Sequence, residues 1–306
     1  LVVCGSTFTV WRSSSNNEIY VAGSTYGSKP QRLTCGTASS QSIKAISMSA
    51  YKQTFGLIDD SGVIKLWPHF LDDEKSIDNF VFCLLPSNPT QISCGDGFAS
   101  ALSNGVAYRI SNDGSFVSFV TIDHHSWCYS TGLSQTSSSP PPLAATSSQL
   151  SAPINHNTAS SVSSAYAYAS PESVLMYSTS PKAISVKSSA DYTIVLDAEG
   201  TVWLYGSIGG LKRHITSTPI ARDMKSIFAM DNFCAFVNNL GVTFTMGLND
   251  YGQLADGTRT KKTRIVEANV ERPVKFVSGG KSFSVFVCCQ FDSSLFEVNM
   301  GEFIPG

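Results

Sequence analysis

Met224–Gly257 reads MKSIFAMDNFCAFVNNLGVTFTMGLNDYGQLADG, and degraded copies of it recur along most of the chain. Its content is an apolar strand, a second apolar strand, a turn at Asn238-Asn239-Leu240-Gly241, a third strand and a Gly-rich exit. An aromatic residue followed eight positions later by a turn glycine sets the register, as in Phe233 to Gly241 and Tyr192 to Gly200. Phe98 reaches Gly105 one position sooner, and Phe8 leads to the Asn16-Asn17 turn. A small or sulfur-bearing pair precedes the aromatic: Cys4-Gly5, Cys94-Gly95, Ser188-Ser189 and Gly279-Gly280. Short apolar strands follow the turn, among them Ile19-Tyr20-Val21, Val202–Tyr205 and Val242-Thr243-Phe244. Each copy is therefore strand, hairpin, strand, with Gly, Asn or Asp supplying the positive φ of tight turns.

Copies begin near Val3, Ile46, Ile92, Val186, Ile227 and Val277, in steps of 43, 46, 94, 41 and 50 residues. A period of roughly 40–50 residues with several strands in each copy is the signature of propeller blades. The step of 94 is twice the others, so one further copy is expected inside it. Val120–Tyr129 would be its first hairpin arm and Val174–Tyr177 its return arm. That makes seven copies, and the expectation is an all-β, seven-bladed propeller of four-stranded antiparallel blades, a single domain over 1–306. Ser134–Ser170, rich in Ser, Thr, Ala and Pro and almost without charge, buries too little apolar surface to be ordered. It is expected to be a low-complexity, disordered insertion at the fourth blade.

Composition narrows the classes. The chain of 306 residues is 42% apolar and 14% charged, with a net charge of −2, so bulk electrostatics gives no reason to expect nucleic acid. No run of 18 apolar residues exists, which excludes a spanning helix and predicts no membrane association. Leu1 follows no leader pattern, and the chain is expected to be cut from a longer one. Cys4 and Cys94 share a repeat position that wants a small buried residue. With no zinc-type Cys/His spacing, the eight cysteines read as small hydrophobes in a reducing, intracellular setting, cytoplasmic or nuclear. No metal or cofactor is expected. Motifs for nucleophilic, phosphate-binding or metalloprotease chemistry are missing, so no catalytic residue is assigned and the chain is read as not an enzyme.

Gly247-Leu248-Asn249-Asp250-Tyr251-Gly252-Gln253-Leu254, followed by Pro273–Gly280, resembles the regulator of chromosome condensation repeat. Ala22-Gly23-Ser24-Thr25-Tyr26-Gly27 is similar to the same exit motif, and the likeness spans nearly all of the chain outside the insertion. The resemblance implies a seven-bladed propeller. It also implies partners such as small GTPases, ubiquitin-ligase machinery or chromatin, since the founding member is an exchange factor for a nuclear GTPase and binds nucleosomes. Where the family often carries His after its Cys-Gly pair, this chain has Phe8, Phe98, Tyr192, Phe233 and Phe283, with His125 retained only in the fourth copy. No acidic loop matches the exchange surface. Trp11, Trp67, Trp127 and Trp203 are single and scattered, unlike the clustered tryptophans of the photoreceptor relatives.

Few positions remain as site candidates. His124-His125 beside Asp123 would point to opposite faces of a strand, and Leu71–Lys75 is a solvated loop. Asp96, Asp191 and Asp231 lie near the repeat aromatic, where they either bond their own turn or ring an axis. Arg259, Lys261, Lys262 and Arg264 put four positive charges into six residues of the loop after the best copy. Lys212 and Arg213 form a smaller cluster in the preceding inter-repeat loop, and both clusters are expected on one side of the ring. These six are the partner-binding candidates, suited to an acidic protein, a phosphate or DNA. The function expected is a non-catalytic, monomeric protein-interaction scaffold. The alternatives are a guanine-nucleotide exchange factor for a small GTPase and a chromatin-binding propeller.

Overall fold

A computed structural model describes residues 1–23, 27–33, 43–70, 80–114, 116–119, 182–209, 211–213 and 219–289. Every regular element among them is a β-strand. The first sheet holds β1 (Val2–Cys4), β2 (Phe8–Arg12), β3 (Ile19–Gly23) and β4 (Gly27–Arg32). The second holds β5 (Ala45–Tyr51), β6 (Thr54–Asp59), β7 (Ile64–Trp67) and β8 (Val81–Cys83). The third holds β9 (Pro89–Cys94), β10 (Ala99–Ser103), β11 (Val106–Ile110) and β12 (Phe116–Phe119). The fourth holds β13 (Ala183–Ser189), β14 (Asp191–Asp197), β15 (Val202–Ile208) and β16 (Leu211–Arg213). The fifth holds β17 (Met224–Ala229), β18 (Phe233–Asn238), β19 (Thr243–Gly247) and β20 (Lys262–Glu267). The sixth has β21 (Val274–Gly279) and β22 (Ser284–Cys288). All pair antiparallel, in chain order within each sheet.

The repeat explains this regularity. In four first strands the register skips at the same place: Ala45/Ser47, Ala183/Ser185, Met224/Ser226 and Val274/Phe276. Such a bulge bends the strand and sharpens its twist. The hairpin after the second strand repeats as well. Asp59, Asp197 and Asn238 each accept from two backbone N–H groups of their own turn, at 2.9–3.0 Å. Gly241 closes one of these turns at φ 81°, a conformation that side chains disfavour. The aromatic position is equally consistent: in the third sheet the Phe98 ring lies where a Cβ on Gly95 would stand, 2.2 Å away. The Cys-Gly pair is thus a steric seat for the ring.

Sheet packs on sheet in the order of the chain, with the first strands side by side: β1 by β5, β5 by β9, β9 by β13 and β13 by β17. Five apolar clusters fill the five seams. Phe8 and Val10 meet Leu57 and Trp67; Ile64 and Leu66 meet Ile92 and Ala101; Leu102 meets Val186 and Val195. Tyr192 and Ile194 meet Phe236, and Phe233 and Val237 meet Val277. Polar atoms thread the seams. Ser47 and Ser49 accept from the N–H groups of Ile92 and Cys94, and Gln91 and Ser93 from those of Val186 and Ser188. Sheets standing side by side around a common centre, each packed on the next, make a β-propeller.

One expectation is corrected here. A blade was expected between the copies at Ile92 and Val186, yet the third and fourth sheets abut directly. Ala183 N–H bonds Gly105 carbonyl at 2.8 Å, as Met224 bonds Gly200 and Val274 bonds Gly241 at the next two seams. Asp96 N–H bonds Ala190 carbonyl just as Ser6 bonds Lys52 at the first seam, both at 2.9 Å. A blade between them would break every one of these contacts. Six sheets, rather than seven, stand among the described residues, and the sixth has two strands there. The arms at Val120–Tyr129 and Val174–Tyr177 and the insertion at Ser134–Ser170 lie outside the described residues. Cys94 is buried as expected, whereas Cys4 is exposed.

Seam packing sets the stability. Phe236→Ala, at the fully buried fourth–fifth seam, is expected to cost about 3–5 kcal/mol. Leu240→Ala, on the exposed hairpin of the same sheet, should stay within about 0.5 kcal/mol of wild type. Urea midpoints of the two variants check this contrast.

Candidate functional site

Chain direction divides the connections between two rims. One rim carries the turns between first and second strands and the loops between third and fourth strands. The other carries the second-to-third hairpins and the links between sheets. On the first rim the loop 248–261, between β19 and β20, is built around the exit motif. Asn249 is fully buried; its Nδ2 donates to Asp256 Oδ1 at 2.9 Å and to Thr258 carbonyl at 3.1 Å. Its Oδ1 accepts from Leu254 N–H at 3.0 Å, and Thr245 Oγ1 donates to Leu254 carbonyl at 2.8 Å. Gln253 accepts from Tyr251 N–H and donates to Lys281 carbonyl, tying the loop to the next sheet. The motif that carries the family likeness is therefore a loop framework.

The cationic cluster sits on that framework, with two corrections. Lys262 and Arg264 belong to β20, the outermost strand of its sheet, so only Arg259 and Lys261 are on the loop. Lys262 is also not free: its Nζ lies 3.0 Å from Asp256 Oδ2 and donates to Thr260 Oγ1 at 3.1 Å. Partial burial raises the Asp256 pKa, but bonds from Thr258, Lys262 and Asn249 outweigh it and bring it down to about 2. Arg259, Lys261 and Arg264 are exposed.

Lys212 and Arg213, expected in an inter-repeat loop, lie in β16, the outermost strand of the fourth sheet. They share the first rim with the larger cluster. Arg213 pairs with Gly206 as Lys262 pairs with Gly247, and these two glycines face Tyr192 and Phe233 at one repeat position. The two clusters are thus brought to one side of the disc at equivalent positions of adjacent sheets.

Nearer the centre, the same rim carries the three aspartates. Asp96 takes an ion pair from Lys52 at 2.6 Å, and Asp231 accepts from the Tyr51 hydroxyl, a bond from the second sheet to the fifth. Burial, then this bond, raises the Tyr51 pKa; the hydrogen bond to Asp96 raises that of Lys52. Arg109 stacks on Phe98, 3.5 Å from the ring centroid; burial lowers its pKa while Asp191 opposes the shift. Asp96 and Asp231 therefore act as partners to cations and hydroxyls, a role that residue spacing alone did not reveal. Among the described residues no three His, Cys, Asp or Glu side chains are grouped as metal ligands. His124, His125 and Leu71–Lys75 lie outside the described residues.

No protein-family model and no curated protein matches the chain. Solved structures similar to it include human WBSCR16, 12% identical over 95% of this chain and 86% of that one, with a TM-score of 0.46. Prp20p from Saccharomyces cerevisiae, studied for its binding to Gsp1p and histones, is 10% identical over 96% and 83%, with a TM-score of 0.45. It is a yeast RCC1, so the family that the repeat resembles is among these structures. The CRINKLY WD40 ectodomain of the Arabidopsis thaliana receptor kinase ACR4 is 9% identical over 94% and 73%, with a TM-score of 0.49.

The loop framework makes a pH prediction. Folding holds the Asp256 carboxyl below its unfolded pKa of about 4, so its stabilisation is full above that value and fades as pH falls towards 2. Asp256→Asn should melt below wild type at neutral pH, and the gap should narrow through that window in calorimetry.

Proposed function

We propose that the protein is a non-catalytic interaction propeller that binds an acidic protein surface with its cationic rim. The observation that carries this reading is the contrast between inner and outer charges on one rim. Near the centre Lys52 is neutralised by Asp96. Further out, Arg259 and Lys261 are exposed on a loop held by a buried asparagine and Arg264 is exposed on β20 beside it, with Lys212 and Arg213 at the equivalent edge of the adjacent sheet. Lys262 serves the loop rather than the partner, through Asp256. Rigid scaffolds that present charged loops are suited to recognition, because little order is lost on binding. The short net charge of the whole chain leaves such a patch locally dominant.

A reducing, intracellular setting belongs to this reading. It is supported by Cys83 and Cys94, free thiols whose burial pushes their pKa up to about 12, and by the equally buried Cys234. These three pack as small hydrophobes.

The test is charge reversal at Arg259, Lys261 and Arg264 together. Wild type should bind an immobilised Glu/Asp-rich peptide with an affinity that falls steeply with salt, and the triple variant should lose about tenfold or more. Equal binding by both proteins would sink the reading. Accelerated nucleotide release from any member of a panel of small GTPases would replace it with exchange catalysis.

A further inference from the structure

The inner edges of the first strands carry a polar system of their own. Each first strand pairs with its second strand on one side only, so alternate N–H groups look out from the other edge. In the third and fourth sheets these are Ile92, Cys94, Val186 and Ser188. Each is met by an oxygen from the preceding sheet, that of Ser47, Ser49, Gln91 and Ser93 in turn. Ser49, Ser93, Lys187 and Phe228 hold one repeat position, paired with Gly56, Ser100, Ile194 and Ala235 on their second strands. The fourth sheet therefore turns an ammonium towards the fifth where the second and third turn a hydroxyl towards the sheet that follows. An ammonium has no lone pair to offer a backbone N–H. Among the described residues no side chain bonds the N–H of Ile227 or Ala229, the counterparts in β17 of Val186 and Ser188.

The neighbouring side chains add donors to this cation. Ser49 and Ser93 each use an oxygen lone pair on a backbone N–H, which leaves the hydroxyl hydrogen to be donated. Lys187 is half-buried and has neither a carboxylate nor a carbonyl partner among the described residues; burial alone lowers its pKa. Lys52 on the first rim, by contrast, has Asp96. Tyr51, two residues beyond Ser49 in β5, reaches across the centre to Asp231 and so lies over this level. The aspartates stand on that first rim, while Lys225 and Lys275, at the start of β17 and β21, are exposed at the other. An anion is therefore favoured at the level of Lys187 and is drawn in from the rim opposite the aspartates.

We propose that the centre of the disc binds a phosphate group, as the free ion or a small monoester, on Lys187, with the Ser49 and Ser93 hydroxyls and the Ala229 N–H as its neutral donors. A phosphate brings three strong acceptor oxygens and up to two charges, whereas a carboxylate brings two oxygens and one charge. The larger acceptor set matches a cation flanked by several donors. This site is separate from the cationic rim and does not rest on it.

Titration calorimetry of the full chain with inorganic phosphate and with acetate tests this, alongside Lys187→Ser, which gives the fourth sheet the residue of the second and third. Wild type should bind phosphate, and acetate about tenfold or more weakly. Lys187→Ser should keep its melting temperature and lose about tenfold or more in phosphate affinity. Charge reversal at Arg259, Lys261 and Arg264 should leave phosphate binding unchanged. Glycerol 3-phosphate binding as tightly as phosphate assigns a monoester ligand; its exclusion assigns the free ion. In wild type the amide resonance of Ala229 should shift as phosphate is added. A wild type that binds no phosphate, or whose Ala229 resonance stays still, overturns the inference. So does equal affinity for acetate, or loss of binding on reversing the rim alone. Undiminished phosphate binding by Lys187→Ser overturns it as well, and Lys187→Met takes that place if Lys187→Ser loses its β-sheet circular dichroism.

Discussion

The seam between neighbouring sheets is the constraint on which everything else depends. A four-stranded sheet with apolar residues on both faces cannot stand in water alone, and burying a single Phe or Leu side chain contributes about 1.5–3 kcal/mol. Each blade here therefore needs two neighbours. The polar atoms of the seam fix how they meet. A backbone N–H turned away from its own sheet and buried without a partner would cost about 1–3 kcal/mol. Ser47, Ser49, Gln91 and Ser93 each relieve one such group on the sheet that follows. Apolar contact draws sheets together; these bonds select the order and height at which they sit.

Much of this was legible from local pattern. The aromatic-to-glycine spacing located the second strand and its hairpin because both ends are local: a ring seated on a glycine, and a turn closed by an Asx side chain. The copy at Ile46 has Thr54 in place of the aromatic, and there Phe70 packs against both Phe8 and Phe55, 4.9 and 4.8 Å between centroids. No spacing rule could find that substitution, since Phe70 arrives from the loop after the third strand. The fourth copy failed for a related reason. A doubled step of 94 residues says only that there is room for a further copy, whereas adjacency of the third and fourth sheets is decided by bonds between residues far apart in the chain.

The outermost strands were the least legible elements. β20 shows no clean apolar alternation, with only Ile265 turned onto the core, and so its residues read as a loop. An edge strand has an unpaired side, and charges there keep other strands from adding to it. Lys262 and Arg264 answer that need whatever else they do, which is why a charge count alone overstated the cluster as a site. What separates the residues is their bonding: Lys262 is held by Asp256 and Thr260, while Arg264 is exposed.

That separation also explains why the clearest copy of the repeat is the one that bears the candidate surface. A loop of fourteen or so residues between two strands is long enough to wander, and the longer a loop, the greater the entropy lost when it is held. Here Asn249, Gln253 and Asp256 hold it through side-chain bonds to its own backbone and to the turn at Lys281. The short link from β15 to β16 needs no such scaffold, because Gly209 turns it at once with φ 57°. The same rim is thus reached by two routes, one through turn geometry and one through a buried amide. Only the second leaves a projecting loop, and it is there that exposed cations stand clear of the aspartates near the centre.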